Sequence, residues 1–264
     1  MRRSAAVLAV FTAVSVAACS SGSGGGGATS TPPSPSTSTA VSGSITVFAA
    51  SSLKGAFTDI GTAFQAAYPG TTVTFNFGPS SGLATQITQG APADVFASAS
   101  KKTMETVTSA GDATNTEVFA TNTMEIATPP SGGTVVASLA DLAKPGVKVA
   151  VCQKDVPCGV AAATLFDQNK LTVTPSTQEV DVKAVLSKVE LGEVDAGIVY
   201  VTDVKAAGDK VKGIEIAADK NVETRYPIAP ITQSKNAATA QAFVDFVLSR
   251  AGQTILTSAG FAQP

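Results

Sequence analysis

Two serine pairs, Ser51-Ser52 and Ser80-Ser81, each stand between a run with the period of a strand and a run with the period of a helix. Ahead of the second pair, Val73, Phe75 and Phe77 alternate with Thr72, Thr74 and Asn76, which is strand spacing. Gly78-Pro79-Ser80-Ser81-Gly82 breaks that run, and Leu83–Gln89 follows at helical spacing until Gly90. Around the first pair, the apolar run Ser44–Ala50 gives way to Leu53, Ala56, Phe57, Ile60, Phe64 and Ala67 at three- and four-residue steps. A hydroxyl at such a place joins free backbone N–H groups and the positive end of a helix dipole, the makings of an anion site. A serine that only caps its helix explains one such turn equally well; two turns that agree favour the anion. Gly78-x-Ser80-x-Gly82 also fits a hydrolase nucleophile elbow, but the chain has no histidine to take the serine proton and no S-x-x-K spacing here. This is not the pattern of an enzyme.

To set two serine turns side by side takes a parallel α/β sheet, whose strands end at one edge, where open α/β sheets bind ligands. The rest of the chain alternates in the same way. Strands are expected around Val95-Phe96, over Glu117–Thr128 and Val147–Val151, and again over Ala196–Tyr200, Val211–Ala217 and Tyr226–Ile231. Helices are expected over Lys101–Ala110, Ser138–Ala143, Gly159–Asn169 and Ala237–Arg250, the last continued to Ser258. Ser176-x-x-Glu179 matches a capping box and predicts a helix over Val180–Val189. No internal sequence repeat stands out, and the class is α/β. Three further turns resemble the serine turns: the cysteine loop before Gly159, the helix start near Val180, and the strand end at Tyr200. If a second lobe supplies these three, a ligand sits in the cleft between lobes.

The 264 residues are 44% hydrophobic and 14% charged, enough for a sizeable core in one or two domains. A net charge of −2, no basic run and no tryptophan argue against a nucleic-acid platform. An anion would therefore be held by neutral dipoles. Residues 1–19 read as an export signal, with Arg2-Arg3, an apolar run from Ala5 to Ala18 too short to span a bilayer, and Val16-Ala17-Ala18-Cys19. That ending resembles a bacterial lipobox, which implies cleavage before Cys19, lipid on its sulfur and an extracytoplasmic protein anchored to the cell membrane. Residues 20–43, of Ser, Gly, Thr and Pro, form a flexible linker. Cys152 and Cys158 are the remaining thiols; outside the cytoplasm a disulfide closing that small loop is expected, and two cysteines without histidine leave a zinc shell unfilled.

FAASSLKGAF (48–57), FGPSSGLATQI (77–87), GAPADVFASA (90–99), VPCG (156–159), EVDVKAVLSKVELGEVDAGIVY (179–200) and YPIA (226–229) resemble, in order, the extracytoplasmic molybdate-binding proteins of ABC importers. The resemblance implies a class II periplasmic-binding fold, two α/β lobes with a ligand cleft, lobe I over 44–122 plus 226–264 and lobe II over 123–225. It also implies a monomer that takes molybdate or tungstate to a membrane permease, with no cofactor, no cation site and no nucleic acid; sulfate or another tetrahedral oxyanion is the alternative cargo. The family's ligands fall on Ser52, Ser80, the main chain of Cys158 and Val182, and Tyr200, with Ser51 and Ser81 as further candidates. Cys158 stands where the family often has alanine, and a main-chain donor tolerates that change. The Cys152–Cys158 bond is then expected to fix the loop that carries the donor. Asp94 and Asp195 receive no role.

Overall fold

The computed structural model describes residues 41–130 and 136–264, all within one compact unit. The leader, Cys19 and residues 20–40 of the linker lie outside the described residues. The first strand, β1 (Gly43–Ala50), is buried from Val47 onward. It runs parallel to β2 (Thr71–Gly78) on one side and β3 (Val95–Ala97) on the other. Helix α1 (Lys54–Ala67) follows a single helical turn at Ser51–Leu53 and lays Phe57, Ile60 and Phe64 against the sheet. Helix α2 (Ser80–Thr88) begins two residues past the end of β2, and α3 (Lys101–Ser109) follows β3. Since β1 lies between two parallel neighbours with helices on both faces, its near-continuous apolar run is what such a strand requires.

The same plan recurs further along. Strand β5 (Val149–Cys152) runs parallel to β6 (Thr177–Glu179) and β7 (Ala196–Tyr200), with helices α4 (Pro157–Gln168), α5 (Val182–Glu190) and α6 (Val201–Ala207) after the three strands in turn. The two parallel ends are joined by β4 (Glu117–Thr128) and β9 (Glu223–Pro230), which pair antiparallel with each other. The sheet runs β2-β1-β3-β9-β4-β7-β5-β6, with β8 (Lys212–Glu215) pairing β4. Helices α7 (Ala237–Leu248) and α8 (Arg250–Ala259) return to the first end and pack under α1.

The apolar core follows this division. One cluster draws on residues between Met124 and Ile216, and the other two on residues between Ile45 and Ala120 and between Tyr226 and Phe261, with Ala229 and Ile231 under α2 and α3. Asp94 and Asp195 hold corresponding places before β3 and β7. Each accepts a main-chain N–H of the neighbouring strand region at 2.7 Å, from Thr46 and Lys148 respectively. Both are structural brackets.

The sequence pattern misplaced three features. Ser176 is no helix cap: its hydroxyl donates to the Val149 carbonyl, and Thr177–Glu179 extends the sheet instead. Asp181 caps α5, accepting the Ala184 N–H at 3.0 Å. The final helix is two helices, because Ser249 takes an extended ψ of 164° and its side chain caps the second. Helix α6 was not expected at all.

Candidate functional site

Five helical segments begin at one place. Their starting residues Ala50, Pro79, Val156, Asp181 and Tyr200 all line a single small pocket. The reason is topological: in both halves of the sheet the parallel strands end at the same edge, and each hands over to a helix there. The first-turn amides of a helix have no intrahelical acceptor, and no side chain caps those of the Ser51 turn, α2 or α4. The cavity is small, with about 10 Å³ open to the centre of a water-sized sphere, room for one compact group.

The polar side chains in the wall are the hydroxyls of Ser51, Ser52, Ser80 and Tyr200 and the carboxylate of Asp181. Ser80, 1% exposed, accepts the Ala99 N–H at 3.0 Å, which leaves its own proton free to donate elsewhere. Ser52 meets the Tyr226 hydroxyl at 3.1 Å. If the tyrosine donates, the Ser52 proton also points to a ligand. Tyr200 is 1% exposed, and its buried hydroxyl has no hydrogen-bond partner of good geometry among the described residues. A buried hydroxyl in that condition costs free energy until something accepts from it. Burial, then the neighbouring Tyr226 and Asp203, push the Tyr200 phenol well above its ordinary pKa; burial also raises Tyr226. Both tyrosines stay protonated at neutral pH and can donate.

A largely buried ion pair sits behind this wall. Asp203 is fully buried and takes the Tyr200 N–H at 3.1 Å and Lys183 Nζ at 2.8 Å. Burial raises its carboxyl pKa, and Lys183 pulls it back. Lys183 is thereby paired, and among the described residues no lysine or arginine lines the cavity. Asp181 is the charged residue in the lining, with one oxygen engaged by the Ala184 N–H. Among the described residues no cluster of three potential metal ligands occurs.

The structure brings Ser52, Ser80, Cys158, Val182 and Tyr200 together, with Ser51 beside Ser52. Ser81 does not reach the cavity and faces a neighbouring basin. Cys152 and Cys158 are bonded, tying the end of β5 to the first turn of α4. Gly159 follows because a Cβ there would stand 1.8 Å from the Gln153 carbonyl oxygen. Sequence reasoning missed Tyr226, Asp203 and Asp181. The Asp181 that opens D-V-K-A-V-L at the start of α5 was a readable cap signal; Tyr226 and Asp203 reach the site only through tertiary packing.

The chain matches the bacterial extracellular solute-binding proteins over residues 45–262. It is 45% identical over 222 residues to the molybdate-binding protein ModA of Mycobacterium tuberculosis, covering 84% of this chain and 85% of that one. To the molybdate-binding protein ModA of Escherichia coli it is 32% identical over 238 residues, covering 83% and 89%. Its structure resembles that of the Azotobacter vinelandii periplasmic molybdate-binding protein with a TM-score of 0.75 at 20% identity, over 83% of this chain and 99% of that one.

Proposed function

Because the chain belongs to the bacterial extracellular solute-binding protein family, we propose that it captures molybdate, and tungstate equally, and delivers it to the permease of an ABC importer. The reading is supported most by a cavity walled with buried hydroxyls and uncapped helix starts and lined, among the described residues, by no cation. A tetrahedral metal dianion without a proton is satisfied by donors alone. Hydrogen phosphate carries a proton that needs an acceptor, and leaving it unpaired costs roughly 1–3 kcal/mol. Sulfate differs from molybdate by size, the weaker filter. Ser52, Ser80 and Tyr200 would donate through hydroxyls, Cys158 and Val182 through the main chain, and Ser51 stands ready as a further donor.

Lobe I, residues 44–122 plus 226–264, would close on lobe II, residues 123–225, and the closed pair would be what the permease reads. Lipid on Cys19 would hold the receptor, a monomer, at the outer face of the membrane, with residues 20–40 as tether; the expected linker ends short of 43, because Ser42 bonds Thr239 and Gly43 opens β1. Calorimetry with molybdate, tungstate, sulfate, phosphate and chromate tests the substrate. Comparable tight binding of the first two and none of phosphate is expected. Preference for sulfate would reassign the cargo, and no binding by any of the five would remove the receptor reading.

A further inference from the structure

Beside the small cavity lies a much larger basin of about 550 Å³, and the two share Ala99 and Pro157 in their walls. The basin is framed by α2, α3, the start of α4 and the first residues of β9. Among the described residues six charged side chains line it: Lys101, Lys102, Lys154 and Arg225 against Asp155 and Glu223. Arg225 is already paired with Glu223 at 3.4 Å. The three lysines are exposed and form no ion pair among the described residues. Net positive charge thus collects at this mouth, on a chain whose overall formal charge is −2.

Two of these lysines occupy unfavourable positions. Lys101 and Lys102 are the first two residues of α3, whose first turn contains no acidic residue. The helix dipole disfavours cations there, so ordinary helix stability does not account for them. The cavity itself, meanwhile, has nothing to attract an anion from afar. Dipoles at helix ends act over about a turn, whereas fixed charges act over a Debye length of about 8 Å at physiological salt. A net-negative protein that holds a dianion with dipoles needs its long-range attraction elsewhere.

We propose that Lys101, Lys102 and Lys154 make this basin an electrostatic antechamber that draws the oxyanion toward the cavity and sets the association rate without touching the bound ion. The proposal rests on the oxyanion-receptor reading. Grip and capture are then separate: neutral donors hold the ion, and lysines outside bring it in.

The test is stopped-flow binding of molybdate to the full chain in non-ionic detergent, for wild type and the triple variant Lys101→Gln, Lys102→Gln, Lys154→Gln. Tyrosine fluorescence supplies the signal, since the chain has no tryptophan and Tyr200 and Tyr226 are two of its three tyrosines. At low ionic strength the variant should associate roughly three- to tenfold more slowly, at the lower end of what steering supplies. Its dissociation rate should match wild type, and the difference should vanish near 0.5 M salt, where the Debye length falls to about 4 Å. Thermal stability of the variant should be equal or slightly higher, which separates lost steering from lost folding. An unchanged association rate and salt slope would overturn the proposal, as would an effect confined to dissociation, which would mean direct contact. If wild type binds no oxyanion at all, the receptor reading itself fails, an outcome distinct from the other two.

Discussion

At the residue scale, Ser80 carries two jobs with one oxygen: it accepts the buried Ala99 N–H and has a proton left over. Ser80→Ala should therefore weaken molybdate binding by about 1.5–3 kcal/mol, the range for a bond to a charged group, and also destabilise the ligand-free protein by about 1–3 kcal/mol through the orphaned amide. Calorimetry and urea denaturation read the two losses separately; an unchanged dissociation constant would remove Ser80 from the ligand set. The tyrosines make a second prediction. Tyr200 and Tyr226 are both raised by burial, and the chain has no histidine. Raised phenols remain donors throughout the neutral range, so molybdate affinity should stay flat from about pH 6 to 9. Calorimetry in two buffers of different ionisation enthalpy should show no proton uptake or release. These donors were partly legible in the sequence. Ser52 and Ser80 announce themselves at strand-to-helix turns, but Tyr226 lies mid-strand in β9, 174 positions from the Ser52 hydroxyl it meets, and no local pattern encodes that contact.

At the element scale, the site depends on how one helix start is fixed against another. The buried Asp203 binds the Tyr200 N–H at the head of α6 and the Lys183 ammonium from the first turn of α5, so one carboxylate ties together the two helix starts that carry Tyr200 and Val182. Lys183→Met would leave that carboxylate buried and unpaired, a loss of about 3–5 kcal/mol near neutral pH, toward the lower figure because the Lys183 side chain is 30% exposed. The sign of the pH dependence follows from the raised carboxyl. A folded-state pKa above the unfolded value of about 3.9 contributes stability that is full below that value and fades as pH rises through the folded one. Removing Lys183 takes away the interaction that lowers the Asp203 pKa, so the variant's deficit should be small near pH 4 and largest near pH 8; a deficit independent of pH would mean the pair is not ionic. The disulfide acts on the neighbouring helix start. Replacing Cys152 and Cys158 by serine should cost roughly 2–3 kcal/mol in the chain-entropy account, and molybdate affinity should fall as the Cys158 amide loses its anchor. Most elements were readable because their burial imposes period: Glu117–Thr128 and Ala196–Tyr200 fall where the pattern put them. Helix α6 escaped because it spans seven residues, with only Thr202 and Asp203 buried and so no apolar stripe. The Ser176 match misled because sheet pairing to β5 claimed Thr177–Glu179 before a helix could form.

At the scale of the whole molecule, the two ends of the sheet repeat one topology without repeating a sequence. In each, the first strand lies between the second and third, and the helices start at one edge. Period and turn chemistry are all that this plan demands, which is why it was invisible as a repeat yet predictable as a class. What joins the ends is narrower. Strand β4 pairs β9 up to Thr123 and then β7 and β8 from Met124 onward. Asn221, just before β9, clasps the changeover: its side chain accepts the Met124 N–H at 3.1 Å and donates to the Met124 carbonyl at 2.8 Å. It also donates to the Ile216 carbonyl at 3.2 Å and accepts the Val222 N–H at 2.8 Å. All of these partners lie on one side of the crossing, so the clasp should persist whether the cleft is open or closed. Asn221→Ala should lower stability by about 1–3 kcal/mol through stranded main-chain groups, yet change the molybdate dissociation constant less than about threefold, since an interaction equal in both states shifts neither. Saturating molybdate at about 1,000 times its dissociation constant should then add about 4 kcal/mol to wild type and variant alike. For a chain of this size that is a melting-point rise of roughly 8–16 °C. Paired thermal scans with and without the ion measure it. Equal rises would mean that the Asn221 bonds are the same with and without the ion, and a much larger rise in one protein would show that they differ between the two states.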